Sequence, residues 1–345
     1  MKDRYAELQK AIHNRNEGQL LITSLPAKTS GSVDELEHSL EATKFLDEKE
    51  CIAVFLAGKP LCFPREDRLI FAEPFYQKER MIIYGGGHVA LPLVKFARIV
   101  GFYVIVIDDR SSFASSDRFP DADEVICAEF SRAIERIKPS KSDYHVIITR
   151  GHKHDTLCIR ELMKYEESVY TGMIGSKRRT RIVLDQLADE GYNRERLFRI
   201  CTPIGLSIGA VTTEEIGISV MAEIIQRKRL ESKDNIAVDR SDGDDQVMEC
   251  LAGMDRPCCL ATIMETEGSV PRKAGAKMII YPDTTILGSV GGGCVEADII
   301  RKGAAMAGSN TYEIINVTLD DDVAMEEGMV CGGRVKILLE DLKTE

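Results

Sequence analysis

The chain has 345 residues, of which 44% are hydrophobic and 29% charged, and a formal net charge of −11. This composition supplies enough apolar surface for two or three packed domains and excludes disorder as the default state. The acidic balance argues against a protein whose main business is gripping nucleic acid, since such surfaces gather Lys and Arg to displace counterions from the phosphate backbone.

At the start, "MKDRYAELQKAIHNRNEG" is polar and amphipathic and lacks the apolar centre of a signal peptide, and no later stretch carries the ~18 or more consecutive apolar residues of a membrane span. A cytoplasmic protein with no membrane partner is therefore expected. The spacing predicts a helix over 3–15, strands near 19–25 and 51–57, and a helical stretch near 33–45. Residues 1–78 read as a small α+β domain with no legible chemistry.

Residues 79–229 alternate apolar strands with helical segments, the pattern of a parallel sheet covered by helices. "MIIYGGGHVALPLVKFA" is a strand, a glycine turn and a helix: Gly85 suits the tight turn, Gly87 lets backbone approach a phosphate, His88 stands beside it, and the helix amides receive the anion. The next strand, "YVIVIDD", ends in Asp108, where a carboxylate can accept ribose hydroxyls. The other interpretation is a doubly wound sheet that uses its glycines for geometry alone. In the loop that follows, Arg110 or Arg118 can pair with a phosphate or form local salt bridges.

"HVIITRGHKHD" places His152, His154 and Asp155 where ligands enter such sheets, as cofactor-binding groups that bind a divalent metal or shuttle a proton, or simply as the start of a helix with Asp155 in its first turn and both histidines on the surface. No structural metal site is expected. "YTGMIGSKRRTRIV" leads from a strand through Gly175 and Ser176 into Lys177 and Arg178, a polyanion cradle in an otherwise acidic chain. A long helix over about 213–228 closes the domain.

Residues 230–249 gather charge, Gly and Asp and read as a linker. The last part, 250–345, shows strands at 258–264, 276–281, 312–318 and 334–340 and a helix at 295–307. Cys294 follows Gly292 and Gly293 in "GSVGGGCVE", with Glu296 in the next helical turn, and Cys331 stands in "GMVCGG". "TEGSVPRKAGAKM" adds Ser269, Arg272 and Lys277, cations that favour a thiolate if the loops converge. Two small buried thiols are the plain alternative. The chain's 10 cysteines include no Cys-x-x-Cys pair, and most sit in apolar text as core thiols. Cys258 and Cys259, adjacent in a strand, should face opposite ways.

These motifs, with "VIVIDDRSSFASSDRFPDAD", "TRGHKHD" and "TPIGLSIGAVTTEEIGISVMAEI", resemble the XdhC/CoxI family of xanthine dehydrogenase accessory proteins, through roughly 80–229 and 257–340. The resemblance implies an α/β fold: a Rossmann-like parallel-sheet domain flanked by smaller α+β domains, the C-terminal one a cysteine-glycine module. It implies a maturation factor or chaperone that binds the molybdenum cofactor (molybdopterin) and aids its sulfuration and insertion, with Cys294 and Cys331 as the reactive thiols. Expected partners are a xanthine dehydrogenase-type molybdenum hydroxylase, a cysteine desulfurase and a second copy of the chain. An NAD(P)-dependent oxidoreductase using His152 or His154, and a scaffold holding no small molecule, are the rival expectations. The sequence departs from the family's pattern in placing the cysteine-glycine module after the Rossmann-like domain, and in having Asp109 where proline is expected.

Overall fold

The structure, a computed structural model, describes residues 2–14, 18–231, 245–254, 256–318 and 333–342. It divides into two compact units, residues 78–233 and residues 1–77 together with 234–345. No helix among the described residues is long and apolar enough to cross a membrane.

The N-terminal segment contributes α1 (Lys2–Asn14), β1 (Gln19–Pro26), β2 (Ser30–Ser32), β3 (Glu37–Ser39), α2 (Glu48–Ala57), β4 (Leu61–Pro64) and β5 (Arg68–Phe75). Two expectations fail here. Residues 48–57 form a helix and not a strand, because Asp47 and Glu50 cap it reciprocally at 2.8 and 3.0 Å and Gly58, left-handed at φ 65°, ends it. Residues 33–45 form no α-helix: they make short 3-10 turns around β3, which pairs antiparallel with β1 from Ile22↔Ser39. Tertiary pairing overrides helical propensity there.

The central unit runs β6 (Arg80–Tyr84), α3 (Ala90–Ile99), β7 (Tyr103–Asp108), β8 (Glu124–Cys127), α4 (Phe130–Ile137), β9 (Tyr144–Ile147), α5 (His152–Leu162), β10 (Tyr170–Met173), α6 (Lys177–Asp189), α7 (Arg194–Phe198) and α8 (Thr213–Gln226). Its five strands are parallel, in the order β10-β9-β6-β7-β8. Alternation along each strand feeds two cores. Met81, Ile83, Val104 and Val106 pack with α3 and α8, while Ile82, Ile105, Ile107 and Ile147 pack with α4, α5 and α6. Each such side chain contributes about 1.5–3 kcal/mol by leaving water, so the sheet's position between its helices is strongly specified.

The C-terminal segment adds α9 (Asp245–Gly253), β11 (Cys258–Gly268), β12 (Lys277–Ile280), β13 (Ile286–Gly288), α10 (Gly293–Met306), β14 (Thr311–Thr318) and β15 (Gly333–Leu342). Most of the expected linker lies outside the described residues. Cys258 and Cys259 do face opposite cores. The structure also corrects the expectation of a free-standing N-terminal domain. β2 pairs with β14 at the edge of a six-stranded sheet, β13-β12-β11-β15-β14-β2, and Tyr5, Leu8 and Leu21 share a core with Val247, Leu260 and Ile279. Neither segment closes its apolar surface alone.

Buried charges join the same two segments. Lys277 Nζ, 2% exposed as a residue, donates to Glu73 Oε1 at 2.6 Å and to Thr262 at 3.2 Å; Arg4 donates to Glu340 at 2.9 Å, and His38 lies 3.3 Å from the same carboxylate. Burial lowers the His38 pKa, with Arg4 adding repulsion. Burial alone would raise Glu340, but Arg4 and His38 bring it down to about 2. Both groups hold fewer protons folded than unfolded, so the stability they contribute is present above their unfolded values, near 6.5 and 4.3, and is lost as pH falls below them. Glu73 is raised by its burial against the pull of Lys277 and acts in the opposite sense.

Glu73→Ala is expected to lower the stability of this unit by about 3–5 kcal/mol in urea unfolding, because it leaves the Lys277 ammonium buried without a counter-ion. Urea midpoints are expected to fall from pH 7 to pH 3, and Glu340→Gln should flatten the limb below about pH 4.3.

Candidate functional site

The strand order of the central unit reverses between β6 and β9, with β7 and β8 on one side and β10 on the other. Cys201 continues the sheet beyond β10 through a parallel bridge to Gly172. Ligands of doubly wound sheets bind in the crevice outside the carboxyl ends of the strands at this reversal. Here the loops after β6, β7, β9 and β10 meet. The helices that follow these strands start without side-chain caps, as at Val89, Gly151 and Ser176, whereas α7 and α8 are capped by Asn193 and by the Thr212/Glu215 box. Uncapped first-turn amides along the sheet edge favour an anion.

The glycines after β6 have distinct roles. Gly85 has φ 113°, and a Cβ on it would fall 2.5 Å from Ile148 O. A Cβ on Gly86 would fall 1.9 Å from Phe113 O, whereas nothing lies within 4 Å of one on Gly87. His88 is exposed beside that opening.

Asp108 differs from its expected role. Its carboxylate accepts from Gly86 N at 2.9 Å, from Arg110 N at 3.1 Å and from Arg110 Nε and Nη2 at 2.8 and 2.9 Å, and the residue is 2% exposed. Burial works against its ionisation, but these donors outweigh it and hold the carboxyl at about 2. Arg110 is therefore committed to Asp108, with its side chain 33% exposed. The guanidinium groups of Arg110 and Arg118 lie 3.6 and 5.0 Å from the Phe113 ring centroid, and Arg118 Nε donates to Gly86 O at 3.0 Å. Arg150, after β9, grips Asp109, after β7, at 2.5 and 2.9 Å, so these two loops are tied together on either side of the glycine loop.

On the β9 side, the expected polar cluster is kept in part: His152 Nδ1 lies 3.9 Å from an Asp155 carboxylate oxygen, while His154 turns away to an aromatic ring. His152 faces Arg179, His154 packs edge-on against Phe130 with centroids 5.5 Å apart, and Asp155, 4% exposed, accepts from Thr149 Oγ1 at 2.5 Å. Burial raises Asp155 despite that bond. Among the described residues no three His, Cys, Asp or Glu side chains converge as a metal site. Gly175 stands at φ 152°, and Ser176, Lys177 and Arg178 are exposed at the start of α6. A groove of about 350 Å³ runs between α5 and α6, lined by His152, Thr156, Arg179, Ile182 and Gln186 among others.

In the other unit, Lys277 is no loop cation, being buried against Glu73. The described ends of the three motif loops do adjoin. A Cβ on Gly291 would lie 3.8 Å from Pro271, and one on Gly333 would meet Val270 at 2.6 Å and Ser269 O at 2.7 Å. Gly291 and Gly292 stand at φ 133° and 76°, and Glu296 accepts from Val290 N at 3.0 Å, so its carboxylate holds the turn before α10. Ser269 is exposed and Arg272 half-buried. Gly293 and Cys294 open α10, with their backbone positions alone described, and Cys331 lies outside the described residues.

Phe113, Thr149 and Arg150 were not singled out by the sequence. Thr149 and Arg150 border "GHKHD", and their position at a strand end was the available signal; Phe113 carries none, since only the folded loop brings it to Gly86.

A parallel sheet in the strand order of doubly wound domains and a module of adjoining glycine loops define an α/β protein of the Rossmann-like class. Residues 81–224 match the XdhC Rossmann domain and residues 251–317 the XdhC and CoxI family, together more than half of the chain. The chain belongs to the XdhC and CoxI family. It is 35% identical over 162 residues to a Bacillus subtilis protein named as a probable xanthine dehydrogenase subunit, a match covering 47% of each chain. To the uncharacterized protein YqeB of Escherichia coli it is 29% identical over 160 residues, covering 46% of this chain and 29% of that one. The chain thus aligns with half or less of these relatives. A crystal structure described as a xanthine dehydrogenase from Bacillus halodurans has a TM-score of 0.47 and 28% identity, over 64% of this chain and 65% of that one.

Gly86→Ala is expected to displace the Phe113 loop and cost about 1–3 kcal/mol in thermal unfolding. Gly87→Ala, with open space at its Cβ, should stay within about 0.5 kcal/mol of the parent.

Proposed function

We propose that this protein is an accessory factor that binds the molybdenum cofactor and assists its sulfuration and insertion into a xanthine dehydrogenase-type molybdenum hydroxylase. The observation that carries this is the presence in one chain of both matched segments, the XdhC Rossmann domain and the XdhC and CoxI segment. It acts as a carrier rather than a turnover enzyme, with a cysteine desulfurase as sulfur source and a second copy of the chain as a further partner.

The residues present fit such a group. The uncapped starts of α3, α5 and α6, the open space over Gly87 and the exposed Ser176, Lys177 and Arg178 suit its phosphate. When bound, the cofactor supplies a molybdenum centre with exchangeable oxygen or sulfur ligands. In the other unit, Cys294 and Cys331 would offer soft thiolates for sulfur, and the adjoining glycine loops give backbone amides room to approach an anion. The rival assignment, hydride transfer with NAD(P), loses support because the carboxylate that would hold a ribose is buried and engaged.

Native mass spectrometry with metal analysis, on protein from a host that makes the cofactor, is expected to show a molybdenum-pterin adduct; protein that emerges free of pterin and molybdenum would refute the proposal. Cys294→Ala and Cys331→Ala are each expected to lower activation of the hydroxylase by at least about tenfold, on the scale of losing one group made for the reaction. Full activation by both variants would reduce the thiols to packing.

A further inference from the structure

A dinucleotide lies across two half-sites of such a sheet, its adenosine ribose on the acidic residue that ends the second strand. In this chain that residue is Asp108, and the half-site between β6 and β7 is filled by residues of the chain itself. The Asp108 carboxylate is closed by Arg110 and by the Gly86 amide, and Phe113 O and the Phe119 ring stand 1.9 and 3.2 Å from where a Gly86 side chain would begin. Arg118 holds the same glycine by its carbonyl. A Cβ on Gly87, by contrast, would meet nothing within 4 Å.

We infer that the crevice takes a ligand whose phosphate is its terminal group, a phosphomonoester, and excludes the nucleoside half of a dinucleotide. This rests on the function proposed above and narrows it to the cofactor form without an attached nucleotide. Asp108 is then a positioning residue: it fixes the Gly86 amide and Arg110, and the loop they anchor shuts the adenosine side. Asp109 strengthens the closure through Arg150.

The test is calorimetric titration of the full chain with inorganic pyrophosphate, ADP and NAD+. Pyrophosphate is expected to bind, with ADP and NAD+ no more than about threefold tighter, because adenosine finds no accessible carboxylate. An advantage of about tenfold or more for ADP or NAD+ overturns the inference, since that is the scale of a charged hydrogen bond gained. So does a failure of pyrophosphate to bind. Arg110→Ala combined with Phe113→Ala should expose Asp108 and raise ADP affinity about tenfold while leaving pyrophosphate within about threefold. Arg110→Ala alone makes the same comparison if the double variant does not fold, and no gain in the folded variant counts against the inference. The cofactor released from purified protein separates the two proposals. A phosphomonoester form agrees with both, and a dinucleotide form leaves the accessory function standing while sinking the closed half-site. Protein without pterin removes the accessory function, and the pyrophosphate–ADP comparison then decides the half-site by itself.

Discussion

Four hydrogen bonds converge on the carboxylate of Asp108, and the arrangement of the sheet's carboxyl edge follows from them. A buried carboxylate is costly unless every oxygen is satisfied, so this one fixes whatever donates to it. It orients the Gly86 amide and draws Arg110 over the strand end, where the guanidinium stacks on Phe113. Phe113 and Arg118 then have a platform against the glycine loop. The loop after β6 lies between those after β7 and β9.

The second unit depends on a comparable constraint. An ammonium and a carboxylate 204 residues apart, Lys277 and Glu73, are buried together, and each would be prohibitive alone. Arg4 and Glu340, 336 residues apart, repeat the device. Such pairs add little net stability over apolar side chains, but they penalise any packing in which the two segments part. Together with the β2–β14 pairing, they make the chain's beginning and end one fold while the Rossmann unit is inserted between them. The cysteine-glycine loops belong to that composite unit.

Much of the central unit was legible because local rules and the fold agree. Apolar alternation in "RMIIY" and "YVIVID" defines strands with two covered faces, and Gly85 stands where no side chain fits. The N-terminal segment was less legible. The capping pair Asp47/Glu50 was there to read in "DEKE" but lay beside an apolar run that also suits a strand, and the 33–45 stretch carries helix formers that β1 recruits into pairing. At the candidate site, the basic and glycine residues were visible as motifs. Whether a charged group is offered to a ligand or committed to a partner within the chain was not, because Arg110 and Lys277 look alike in text and differ from Lys177 only by what surrounds them.

By itself the sequence determined the strand-helix alternation, the glycine turn after β6, the two glycine-cysteine segments and the family they resemble, all properties carried by residues within about a dozen positions of one another. The tertiary structure alone decided that residues 1–77 complete the C-terminal unit, that His154 turns to Phe130 while His152 stays 3.9 Å from Asp155, and that the Asp108 carboxylate is engaged by Gly86 and Arg110. The reason is physical. Periodicity and backbone conformation are local, while the partner of a buried charge can come from a chain segment far away in sequence, as for Lys277 with Glu73 and Arg4 with Glu340.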